Sequence, residues 1–279
     1  ARGGRGRGDR PRVGRRAARR DRAVTLDALA DAVRASRRLV VLTGAGMGLA
    51  SGIPTFRGAD PDAVWSRDVL EMATRSYFEA DPRGSWRWYL SRFAGIERCR
   101  PNAGHDALVA LERWADGRSF LLITQNIDTL HARAGSEALV EVHGRADRVR
   151  CSADGCPLGA PRGSLPRPEI DPERPLGCPV CGAPLRPHVL WFDEFYDGHV
   201  DYGFTRAMAA LAAADLVLCV GTSFSVGITR AAQGGRAPLW AIDPGAQVPR
   251  GVRHVRAAQE VALPALVARL YQSDAPRDR

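Results

Sequence analysis

Two spacings of apolar residues run through this chain, and they divide it into helices and strands. Leu26, Leu29, Ala30 and Val33 recur at helical spacing on one face, with Thr25 placed to cap the first turn. Leu39–Leu42, Phe120–Ile123, Leu139–Val142, Leu216–Val220 and Pro238–Ile242 are short, largely apolar runs. Such runs read as strands buried in a parallel sheet. Residues 207–214 form a helical stretch ahead of the fourth run. Pro264 to Leu270 is expected as a short amphipathic helix, with the proline in its first turn. Between residues 60 and 118, Tyr77, Phe78, Trp86, Trp88, Tyr89, Phe93 and Trp114 accompany helical spacing and are expected mostly as core or groove lining. The class is α/β.

Composition narrows this picture. A length of 279 residues suits one large domain, alone or with a smaller insert. No apolar run is long enough for a membrane span. The arginine-rich start has no apolar core of the secretory kind, which points to a cytoplasmic protein. The net charge of +9 is misleading, because residues 1–22 hold ten Arg and two Asp and so account for +8 of it. Residues 1–23 are expected as a disordered Arg/Gly-rich tail, through which alone nucleic acid could be bound. All forty basic residues are arginine, with Ala, Gly and Pro abundant, as a GC-rich, bacterial coding bias would produce. Arginine in place of lysine is therefore not read as a binding signal here.

Candidate chemistry collects where strands end. The run Phe120–Ile123 leads into Thr124-Gln125-Asn126-Ile127-Asp128, and open α/β sheets bind ligands at such carboxyl ends. These neutral and acidic hydrogen-bonders suit a ribose and a carboxamide better than a phosphate. His143 follows the Leu139–Val142 run and can act as a general base near neutral pH. Leu39–Leu42 runs into Thr43-Gly44-Ala45-Gly46, where glycines let the backbone approach a pyrophosphate. Leu49 stands where a third glycine would complete the dehydrogenase fingerprint, and no strand-end acid follows about twenty residues on. Ordinary hydride transfer is disfavoured on both counts. Gly221-Thr222-Ser223 offers small and hydroxyl residues at a further strand end, and Asp243 ends the Pro238–Ile242 run.

Cys151-x4-Cys156 and Cys178-x2-Cys181, 21 residues apart, have the spacing of a closed four-thiolate zinc site. Seven prolines between 157 and 179 leave little regular structure there, so a metal would supply much of the folding energy. Disulfides are the competing assignment, disfavoured in a cytosolic chain.

The stretch Gly44-Ala45-Gly46 … Ser51-Gly52-Ile53-Pro54-Thr55-Phe56-Arg57 resembles a signature of the sirtuins, NAD-dependent protein-lysine deacylases. Gln125-Asn126-Ile127-Asp128 … Leu130-His131 and His143-Gly144 resemble their second signature, in the expected order. The resemblance covers residues 25 to 270. It implies a Rossmann-like, doubly wound parallel sheet (24–146 and 186–272) with an inserted zinc-binding module (147–185) and a flexible end (273–279). It implies NAD as co-substrate and structural Zn2+ on the four cysteines. Gly44, Ala45 and Gly46 would cradle the diphosphate. Thr55, Phe56 and Arg57 would shield and orient the cofactor. Gln125, Asn126, Ile127, Asp128, Gly221, Thr222, Ser223 and Asp243 would hold its ribose and amide parts.

In the reaction the resemblance implies, Asn126, Asp128 and His143 are catalytic. The nicotinamide–ribose bond is cleaved, the acyl oxygen of the modified lysine captures the ribose carbon, and His143 acts as base on a ribose hydroxyl. The products are nicotinamide, free lysine and O-acyl-ADP-ribose. Ala73, with Tyr89 and Arg92 three apart on one helix face, resembles the branch that removes succinyl and malonyl groups. Val189 would line the acyl-lysine tunnel, and Phe192, Asp193 and Glu194 would lie along the edge that pairs with an acylated peptide. Gly48, Asp193 and Asp243 stand where the family usually has Ser, Gly and Asn. These departures keep open an ADP-ribosyltransferase or NAD hydrolase on the same scaffold. A non-catalytic zinc- and arginine-rich nucleic-acid binder ranks last.

Overall fold

The computed structural model describes residues 24–55, 67–174, 176–245 and 248–273. The Arg-rich tail, Phe56, Arg57 and the last six residues lie outside this set, and with them the readings placed there.

The apolar runs become a six-stranded, wholly parallel sheet. Its strands are β1 (Arg38–Thr43), β2 (Ser119–Thr124), β3 (Leu139–Glu141), β7 (Leu216–Val220), β8 (Leu239–Ile242) and β9 (Arg253–Val255). They lie in the order β3-β2-β1-β7-β8-β9. The chain turns from one direction of winding to the other at β1, so the switch point lies between β1 and β7. There the carboxyl ends of the two strands open a crevice.

Alternation along each strand separates two cores. Leu39 and Val41, with Leu122, Leu218 and Trp240, face α1 (Leu26–Ala35), α5 (Ala103–Trp114) and α9 (Gln259–Ser273). Val40 and Leu42, with Ile123, Val217 and Cys219, face α7 (Phe204–Ala213) and α8 (Gly227–Gly234). Helices on both faces explain why these strands carry almost no polar side chains. Thr25 caps α1 by accepting the Ala28 N–H.

A second, three-stranded antiparallel sheet runs β5-β4-β6 from β4 (Gly144–Cys151), β5 (Leu165–Pro166) and β6 (Leu185–Val189). It shares a third core with α3 (Arg75–Ala80) and α4 (Pro82–Arg98), including Phe78, Trp86, Tyr89, Phe93, Val149 and Trp191. The short α2 (Arg67–Met72) leads into α3, and α6 (Leu130–Ala134) follows the β2 loop. The chain passes from the large sheet to the small one through Gly144, at φ +79. A Cβ there would lie 2.2 Å from the His188 carbonyl oxygen, so only glycine fits. No described helix is long and apolar enough to cross a membrane.

The last helix departs from expectation. α9 begins at Gln259, so Pro264 is its sixth residue rather than part of its first turn. Proline has no N–H to return to the carbonyl four residues earlier. Burial of Ala262, Leu263, Leu266 and Leu270 against α1 and α5 holds the helix together across that gap.

Candidate functional site

Two glycine turns build the crevice at the switch point. The Gly44 N–H donates to the Val220 carbonyl at 3.0 Å, and the Gly46 N–H to the Gly221 carbonyl at 2.8 Å. Backbone meets backbone here. A Cβ on Gly46 would sit 2.7 Å from the Gly221 Cα, and one on Gly221 would sit 2.6 Å from the Met47 N. Gly221 itself has φ +57. The 3-10 helix Ala45–Ser51 starts in this turn. Asn102 braces it from α5, its amide donating to the Met47 carbonyl and the Ser51 hydroxyl, both at 2.9 Å. Gly48 packs against Ile53, and a Cβ there would lie 3.1 Å from the Ile53 Cβ.

The polar run after β2 folds over the same crevice. The Gln125 side-chain amide donates to the Thr43 carbonyl at 3.1 Å and to the Thr222 hydroxyl at 3.3 Å. Asn126 donates to the Gly44 carbonyl at 3.0 Å. Ile127 accepts the Ala146 N–H at 2.9 Å, joining the loop to the small sheet. Asp128 is buried, accepts the Leu130 N–H at 2.9 Å, and has its pKa raised by that burial. Ser223 bonds Ser225, and Asp243 accepts the Gly245 N–H. Ala45 and Thr55 are half-buried. Hydrogen bonds thus tie together the carboxyl ends of β1, β2 and β7, through Thr43, Gly44, Gly46, Gln125, Asn126, Gly221 and Thr222.

His143 closes the crevice floor. Its Nδ1 lies 2.7 Å from the Gln125 carbonyl oxygen. That oxygen can only accept, so Nδ1 carries the proton and Nε2 presents a lone pair. Burial pushes the imidazole down to about 4, with the Gln125 carbonyl opposing the shift. The ring is therefore neutral at physiological pH and able to take a proton. Next to it, burial pushes Glu141 up to about 7 against the pull of Arg145.

Two features were not legible as motifs. Thr129 and Phe224, the non-glycine residues with positive φ among those described, flank the opening after β2 and β7. A β-branched residue at φ 62 stores strain of order 1–3 kcal/mol, which folded proteins tolerate chiefly at working sites. Beneath the crevice the Thr43 hydroxyl meets the Nε2 of His131 at 3.0 Å, and burial holds His131 neutral.

On the small-sheet side, Ala73, Tyr89 and Val189 share one buried cluster. Tyr89 accepts the Trp191 indole N–H at 2.7 Å, and burial raises its pKa. Arg92, one turn further along α4, lays its guanidinium 3.6 Å over the Trp88 ring. Phe192 is half-exposed and its N–H donates to the Ala73 carbonyl.

The acidic pair that follows has partners within the fold. The exposed Asp193 accepts the N–H groups of Arg75 at 2.7 Å and Ser76 at 3.2 Å, capping the start of α3. Glu194 is turned inward, onto the buried guanidiniums of Arg186 and Arg150 and the Trp191 N–H. His188, 0 % exposed, lies beside His199 and Asp201, but burial with the nearby His199 and Arg150 pushes it down to about 3. It packs as a neutral ring.

All four candidate zinc ligands converge. Their sulfurs lie within 4.8 Å of one another, with Cys151–Cys181 at 3.4 Å and Cys156–Cys178 at 3.6 Å. Disulfide sulfurs would be about 2 Å apart, whereas tetrahedral zinc with ~2.3 Å bonds sets sulfurs about 3.8 Å apart. The Ala153 and Val180 N–H groups donate to the Cys151 and Cys178 sulfurs, as thiolate ligands require. Four thiolates with no open position fit a structural zinc ion.

Residues 44–227 match the Sir2 family model. The chain belongs to the Sir2 family. It is 44% identical over 194 residues to an NAD-dependent protein deacylase of Thermus thermophilus, covering 68% of this chain and 71% of that protein. A Pseudomonas aeruginosa NAD-dependent protein deacylase 1 is 39% identical over 228 residues, 79% of this chain and 85% of the other. Among solved structures, a Sir2 homologue in complex with NAD aligns with TM-score 0.74 and 33% identity, over 88% of this chain and 94% of that one. The Sir2 match spans both glycine turns, His143 and all four cysteines, so the crevice and the thiolate cluster belong to one family framework.

Proposed function

We propose that this Sir2-family chain is an NAD-dependent protein-lysine deacylase that works in the cytoplasm on an acylated protein or peptide. The observation that carries the reading is His143, neutral and held by Gln125 through Nδ1, so that the lone pair lies on Nε2. NAD suits this site because Gly44, Gly46 and Gly221 let the two turns pack main chain to main chain at the strand ends, where a diphosphate binds backbone. When bound, NAD supplies a ribose carbon that becomes electrophilic as nicotinamide departs. Gly44, Ala45 and Gly46 would cradle the diphosphate. Gln125, Asn126 and Asp128 would orient ribose and amide. His143 Nε2 takes the proton of a ribose hydroxyl.

At the acyl end, small Ala73 leaves room, while the Tyr89 hydroxyl and the Arg92 guanidinium suit a distal carboxylate such as succinyl or malonyl. Arg92 would leave Trp88 to reach it. Val189 and Phe192 line the approach.

The test is nicotinamide release from NAD with acetyl-lysine, succinyl-lysine and unmodified peptides. Release should require an acylated peptide and fall about 100-fold or more in His143→Ala. Succinyl dependence lost in Arg92→Met supports the acidic-acyl reading, and acetyl preference overturns it. Release without acylated peptide and indifferent to His143 would instead identify an NAD hydrolase.

A further inference from the structure

Tyr196 occupies the loop between β6 and α7 and reaches the catalytic histidine from the side opposite Gln125. Its hydroxyl lies 3.1 Å from His143 Nε2. The direction of that bond is forced. Nδ1 has spent its proton on the Gln125 carbonyl, so Nε2 can only accept and the phenol must donate.

The ring is built into place. It stacks on Phe204 at 5.2 Å and an interplanar angle of 21°. It also packs over Gly227, where a Cβ would come within 3.0 Å of the ring. Tyr196 is thus held from two elements, with its one polar atom on the one nitrogen that the reaction needs.

We propose that Tyr196 is a positioning residue that caps the general base. In the free enzyme its hydroxyl occupies the Nε2 lone pair, and it yields that place only to the ribose hydroxyl of a filled crevice. No covalent bond changes in the exchange. The tyrosine keeps its proton, and the proton that His143 then accepts comes from the ribose oxygen. The base is offered when both substrates are seated and is withheld from water otherwise. This rests on the deacylase reading for the identity of the displacing hydroxyl, but the cap itself does not.

The test separates the two. Tyr196→Phe keeps the stacked ring and removes the cap. In enzyme without substrates at pH 7, carbethoxylation of His143 by diethyl pyrocarbonate, followed by mass spectrometry of its peptide, should quicken about two- to tenfold, the factor of one hydrogen bond. Gly227→Ala, which crowds the tyrosine ring while leaving its hydroxyl intact, should quicken it in the same direction. No charged side chain is among the causes of the His143 shift. Loss of a donor to the neutral ring should therefore raise the acid limb of kcat/KM by about half to one pH unit. Unchanged carbethoxylation in Tyr196→Phe overturns the cap, whatever reaction the enzyme performs. Quickened carbethoxylation in an enzyme that shows no acyl-peptide dependence keeps the cap and overturns only the deacylase reading.

Discussion

Where Gly44, Gly46 and Gly221 meet, backbone lies on backbone and there is no space for one more carbon. The opposite wall, behind β6, is held by long side chains: Arg186 and Arg150 share Glu194, and Trp191 lies under Arg186 with its indole N–H on Tyr89. One wall fails when an atom is added and the other when an atom is removed. Under the proposed function the difference follows from their tasks. A cofactor diphosphate must approach the main chain closely, whereas an acyl chain needs a tunnel whose shape side chains set.

The sharpest contrast lies beyond the second wall, where a metal stands in for a core. Removing zinc with a chelator, or replacing Cys178 with Ser, should take metal content from one ion per chain to none and abolish activity. Structural zinc in isolated fingers is worth about 10–16 kcal/mol. Elemental analysis with an activity assay checks this, and full activity without zinc would break the comparison. Next, Glu194→Gln leaves two buried guanidiniums short of their counter-charge and should destabilise the fold by about 3–5 kcal/mol in urea unfolding. A loss within 0.5 kcal/mol would place that wall's strength elsewhere.

Gly46→Ala tests the glycine wall. It should weaken NAD binding about tenfold, roughly 1.4 kcal/mol, with zinc content unchanged. Calorimetry on both variants would show whether the two walls fail independently. The smallest effect concerns acid. The folded pKa of His143 is depressed from 6.5 to about 4, so its stabilising contribution is complete above 6.5 and lost as pH falls toward 4. The acid limb of kcat/KM should accordingly lie near pH 4 rather than near 6.5. Activity halved at pH 6.5 by titration of His143 would contradict the buried, neutral ring.

The first wall was largely legible in the sequence. Its strands are continuous apolar runs, its turns carry glycine, and Gln125, Asn126 and Asp128 follow a strand directly, so each signal lies within a few residues. The four cysteines were legible for the same reason, because metal spacing is local within each pair. The second wall was not. Asp193 caps a helix 118 residues earlier, and Glu194 answers Arg150 from 44 residues away. Tyr196 finds His143 across 53 residues. An acid beside a strand end looks the same whether it meets a peptide or an internal arginine, and only the folded neighbourhood decides. Pro264 shows the converse error, since a local rule placed a helix start where tertiary packing carries the helix straight through.

Trp191 has one more consequence. Its indole lies 3.1 Å beneath the Arg186 guanidinium, bonds the Tyr89 hydroxyl and touches Phe78 at 5.4 Å. Indole emission responds to a nearby cation and to the hydrogen bond at its nitrogen. Under the acyl-site proposal, this buried chromophore would report filling of the tunnel as a change of light, with no label attached.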